Sequence, residues 1–134
     1  MQFSDSNLKT LMFHLHQLIE TEASIKANQI IDGKYDQPAY PPNIHLTESE
    51  ALALNELIGK EELRSVLGKI FADHSSRILF DLFNIIDGTG DPDEGEWSEV
   101  IIIDRPEDYT ENHEFLHDEF YSTYLDWQES KNEN

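Results

Sequence analysis

The apolar positions of the chain recur at helical spacing in three blocks, separated by polar stretches rich in proline, glycine and carboxylates. Leu8, Leu11, Met12, Leu15, Leu18, Ile19 and Ala23 follow one another at short helical intervals, which predicts a helix over 6–29. Ser4, Asp5 and Ser6 offer N-cap oxygens, and Ile30 and Ile31 carry the apolar run to a stop at Asp32-Gly33. The second block, 60–87, holds two stripes in phase, Leu63 to Phe71 and Ile78 to Ile86, and Asp87-Gly88 closes it. Asp73-His74-Ser75-Ser76 reads as a cap signal inside this block, so the expectation leans towards two helices. The third block is a last helix over 111–129, with Leu116, Phe120, Thr123, Tyr124 and Trp127 at helical spacing and a tail that frays.

Between the blocks the local chemistry changes. Residues 32–46 contain Pro38, Pro41 and Pro42, which bar a helix and disfavour a central strand. An extended loop is expected there, pinned to the body by Tyr35, Tyr40 and Ile44. Thr47 with Glu50 fits a capping box, followed by a short apolar helix that Gly59 ends. Residues 87–96 form an acidic turn, and the β-branched run Val100–Ile103 predicts a strand over 97–103. A lone strand cannot satisfy its own backbone, so this one would need a partner from the 35–46 region, from a weak hairpin, or from a second copy. The reading is an α+β domain, mainly helical, with four or five helices packed as a bundle and a minor β element around 97–103. Residues 1–134 are expected to form a single domain with frayed ends at about 1–5 and 130–134.

Charge changes the picture. The 134 residues carry a formal net charge of −19, with 10 acidic and 5 basic side chains in 1–67 against 18 and 4 in 68–134. Such an excess favours solubility, repels nucleic acid and membranes, and suits a basic partner. Only 9 Lys and Arg are present, unclustered, so a nucleic-acid footprint is missing. There is no cysteine, which excludes disulfides, thiolate metal sites and a cysteine nucleophile. No stretch is apolar enough for a membrane span, the N-terminal stretch lacks the basic opening of a signal peptide, and a cytoplasmic location is expected.

Two strings could carry chemistry. His113-Glu114-Phe115-Leu116-His117 resembles the zincin H-E-x-x-H motif, in which two His one helical turn apart hold Zn²⁺ and the Glu polarises a bound water. That resemblance spans five residues and implies a small zinc-dependent hydrolase with His113 and His117 as metal ligands. A catalytic zinc needs a third protein ligand, and only Asp126, Glu129 or Glu133 could fold back to supply one. The second string is Asp87 to Glu99, with 6 carboxylates in 13 residues. Its spacing fails the calcium-binding loop pattern, because Pro92 stands where the glycine is required and Ser98 at the twelfth position. Carboxylates around Trp97 instead suit an interface rich in Lys or Arg.

The sequence therefore favours a protein-binding module over an enzyme. Size, acidity and helicity are similar to those of small acidic immunity proteins of bacteria, which inhibit basic toxins or nucleases. The expected contact residues are Asp91, Asp93, Glu94, Glu96, Trp97, Asp118, Glu119 and Tyr121. Two alternatives stand beside this reading, the zinc hydrolase and a structural protein whose 97–103 strand pairs in a homodimer.

Overall fold

The computed structural model describes residues 2–110 and 115–133. The chain is mainly helical, with α1 at Asp5–Ile31, α2 at Glu48–Asn55, a 3-10 turn at Glu61–Leu63, α3 at Arg64–Asp87, α4 at Leu116–Ser122 and α5 at Tyr124–Asn132. Its contacts divide it into two compact units. One comprises the chain up to Tyr35 with Leu54–Arg105, and the other Asp36–Ala53 with the chain from Pro106 onward.

The first unit is built on α1 and α3, which pack against each other as antiparallel partners. Met12 and Phe83 line one groove at one end, and Ala27 and Gly68 line another towards the other end. Small side chains set this contact. Ala23 and Ala27 of α1 meet the Gly68 and Ala72 positions of α3, so the backbones approach closely. The buried apolar residues among those described are Ala23, Ala27, Ile30 and Ile31, all in the second half of α1.

Both long helices end on a glycine in the left-handed region. After α1, Gly33 (φ 71°) donates to Ile30 O and Lys34 donates to Gln29 O. After α3, Gly88 (φ 75°) donates to Ile85 O and Thr89 donates to Asn84 O. These paired bonds satisfy carbonyls that the helix leaves open. At the start of α1, Ser4 Oγ accepts from the Asn7 N–H at 3.3 Å.

Arg64 locks the two helices at their other end. Its Nη1 donates to Asn28 Oδ1 at 2.9 Å and its Nη2 to Asp32 Oδ1 at 2.7 Å, while Nε and Nη2 grip the Glu61 carboxylate. The Gly59 N–H adds a backbone bond to Ile31 O at 2.9 Å.

α3 runs unbroken through Asp73–Ser76, contrary to the expected interruption. The Ser76 hydroxyl donates to Asp73 O at 2.8 Å, so its hydrogen bond joins the helix's own ladder and does not cap a new helix. The expected β element is also absent, since no strand occurs among the described residues. Among the described residues, 97–103 have no ladder partner. Their end is tied instead to the start of α1, where the Asp104 N–H donates to Gln2 O and the Ser4 N–H donates to Asp104 Oδ1, both at 3.1 Å. Ile102 and Ile103 line a groove with Phe3, Asn7 and Leu11.

In the second unit the capping box forms as expected. Thr47 N–H donates to Glu50 Oε1 at 3.1 Å, and Glu50 N–H donates to Thr47 Oγ1 at 3.2 Å. The last helical block is interrupted at Thr123, between α4 and α5. There the Thr123 hydroxyl donates to Glu119 O at 2.7 Å.

Candidate protein-docking site

The acidic turn is shaped by the end of α3. Asn84 gathers it, with its carbonyl accepting from the Thr89 and Gly90 N–H groups and its side-chain oxygen from the Thr89 hydroxyl at 2.9 Å. Asp91, Asp93, Glu94 and Glu96 follow with exposed side chains, and Trp97 is 41% exposed. This stretch places four carboxylates and one indole within seven residues of chain.

Asp118, Glu119 and Tyr121 lie on α4, in the other unit. Asp118 and Tyr121 are exposed and Glu119 is half-buried. Around them stands a ring cluster that the sequence shows only in part. Tyr40, from the proline-rich loop, stacks on Phe120 with centroids 5.7 Å apart and meets Tyr124 edge-on at 5.4 Å. It also lies 6.3 Å from Tyr121, and Tyr124 in turn lies 5.6 Å from Trp127. Such offset and edge geometries place the electropositive rim of one ring near the face of another. The cluster nevertheless remains open to solvent, with Phe120 60% and Trp127 51% exposed.

Lys131 already illustrates what this surface can hold. Its ammonium lies 4.3 Å from the centroid of Trp127, within range of cation–π attraction.

Of the zinc-like string, His113 and Glu114 lie outside the described residues. His117 is exposed, stacks on Phe115 with centroids 5.8 Å apart, and places Nε2 3.4 Å from Asp118 Oδ1. Among the described residues, no group of three or more His, Cys, Asp or Glu could hold a metal ion, which applies equally to the acidic turn.

The carboxyl groups with displaced titration stand elsewhere. Hydrogen bonding to Arg64 holds both Asp32 and Glu61 below the usual carboxylate range, and those partners raise Arg64 above its ordinary value. Asp104 is held low by the Asn7 side chain and then by Ser4. Glu50 is held low by the Thr47 N–H and hydroxyl. Each displacement has a local architectural cause at a helix end, where a charge or cap is satisfied.

No family model, curated protein or solved structure matches the chain. Among the described residues, no helix is long and apolar enough to cross a membrane.

Proposed function

We propose that the protein is a binding module that docks onto a cationic protein partner, and that its specific form is an inhibitor of a basic toxin or nuclease. One observation carries the reading: Tyr121 is 47% exposed beside Asp118, whose side chain is 67% exposed, at the edge of an open aromatic cluster. Rings supply large contact area at small entropic cost, and carboxylates beside them discriminate in favour of Lys and Arg. The acidic turn with Trp97 repeats that pairing in the other unit. A net charge of −19 adds long-range attraction, which accelerates encounter with a cationic surface.

Affinity capture from a native extract at low salt, followed by elution in rising salt and mass spectrometry, tests the reading. A basic protein should elute early in the salt gradient and be lost from Asp118→Asn/Tyr121→Ala bait. Binding at a similar level to both baits, or capture of nothing basic, would count against it. Purified partner should then lose its activity on stoichiometric addition of the protein.

A further inference from the structure

The stretch between the acidic turn and Asp104 is an edge without a neighbour. From 96 to 106 the backbone makes no helix, turn or bend, so the chain there runs extended. Among the described residues, no backbone hydrogen bond reaches 97–103. At about 3.3 Å per residue this run spans roughly 23 Å, enough for a full strand. Two contacts hold it against the first unit. Glu99 Oε1 lies 3.6 Å from the position a Cβ on Gly88 would take, at the end of α3. Beyond the run, Asp104 is bonded to Gln2 O and to the Ser4 N–H. An edge already held extended has less conformational freedom to lose on pairing than a free loop has.

Its side chains are open as well. Val100 is 43% and Ile101 77% exposed. A β-branched run whose peptide groups have no partner in the protein is a template for strand addition. Ladder hydrogen bonds then supply affinity, and alternate side chains supply selectivity. Ile102 and Ile103 line a groove with Phe3 and Leu11, so apolar surface continues beside the run.

Charge selects the occupant. From 91 to 108 the sequence carries 8 carboxylates and one cation, Arg105. Antiparallel pairing of two copies centred on Val100 would set Glu96 against Asp104 and Asp93 against Glu107. Parallel pairing in register would set every carboxylate against its own copy. Like charges directly opposite one another destabilise a ladder. A strand with Lys or Arg at both ends and β-branched residues in its middle meets the opposite charge at those same positions.

We propose that 97–103 is an edge onto which a cationic partner adds an extended segment, apolar in the middle and basic at both ends. This rests on the reading of the protein as a docking module for a basic protein, and it names how that partner is held.

The probe is a synthetic peptide of alternating Thr and Val with paired Lys at each end. It is titrated into the full chain and followed by backbone amide NMR with hydrogen exchange. Binding should protect alternate amides within 98–103. Methylating the backbone nitrogens of two adjacent central residues blocks both edges of the peptide but keeps its side chains and charge. That change should weaken binding by about tenfold or more. Val100→Pro and Ile101→Pro remove donors from opposite edges of the run. One of the two should lose binding by a similar factor, with helicity by circular dichroism preserved. A peptide with Glu in place of Lys should not bind.

Equal affinity of the methylated peptide, binding retained in both proline variants, or no protection within 98–103 at millimolar peptide overturns strand addition. So does a free chain whose 98–103 amides become protected as its own concentration rises, because the occupant is then a second copy. Any of these leaves the docking reading standing if capture of a basic protein still depends on Asp118 and Tyr121. Loss of that dependence with strand addition intact refutes the contact at α4 alone.

Discussion

Gly68 of α3 lies against Ala27 of α1, and a Cβ placed on Gly68 would sit 3.9 Å from the Ala27 Cβ. That is ordinary van der Waals contact. Gly68→Ala should therefore fit, and by removing backbone freedom from the unfolded chain it should raise stability by about 0.5–1 kcal/mol. Gly68→Leu has no such space and should cost about 1–3 kcal/mol by forcing the helices apart. At Gly88 the sign reverses, because its left-handed backbone (φ 75°) penalises any Cβ. Gly88→Ala should cost about 1–2 kcal/mol. Urea denaturation of the three variants checks the order.

Arg64 binds Asp32 across 32 positions of sequence and Glu61 within its own turn. Both carboxyl groups titrate below their unfolded values, so their stabilising contribution is fully present above the ordinary carboxylate range. It is lost as pH falls through the depressed folded values, below about pH 4. Arg64→Met removes the cause of both shifts. The variant should be less stable than wild type at neutral pH, and the gap should narrow as the solution is acidified from pH 5 towards about pH 2. Melting temperatures measured across that range would show parallel curves if the clamp contributed nothing.

Asp104 fastens the 97–105 segment to the first turn of α1 through the Ser4 N–H, with its own N–H bonded to Gln2 O. Asp104→Ala should release that segment while leaving most of α1 helical. Limited proteolysis should then cut within 97–105 several-fold faster than in wild type. Asp104→Asn keeps an acceptor but loses the negative charge at a helix N-terminus, and should fall between the two.

Tyr40 is the ring that joins the proline-rich loop to α4 and α5 in the second unit. Tyr40→Ala should weaken that unit by about 1 kcal/mol, the scale of aromatic pairs in partly open settings. Tyr40→Phe should be close to neutral, because the ring contacts persist. Trp127 fluorescence in a Trp97→Phe background reports the loosening, and a spectrum unchanged in Tyr40→Ala would contradict the hub role.

Much of the local structure was legible in the sequence because its causes are local. The capping box at Thr47 and Glu50 and the stops at Gly33 and Gly88 each depend on residues a few positions apart. The expected break in α3 failed for an equally local reason, since a serine hydroxyl can cap a helix or bond backwards within one, and the sequence does not choose. The candidate contact residues were legible as types. The open face formed by Phe120, Tyr124 and Trp127 with Tyr40 was not, because it joins residues some eighty positions apart.

The sequence by itself determined the mainly helical character, the stops at Gly33 and Gly88 and the anionic excess, since periodicity, caps and charge are properties of neighbouring residues. Only the tertiary structure decided what becomes of 97–103. A β-branched run becomes a strand only where another extended backbone offers its hydrogen bonds, and here it is the following residue, Asp104, that bonds to Gln2 O and the Ser4 N–H. Tertiary packing likewise decided that Ala23 and Ala27 meet Gly68 and Ala72 at one end of the α1–α3 contact, because close helix approach rewards the smallest side chains.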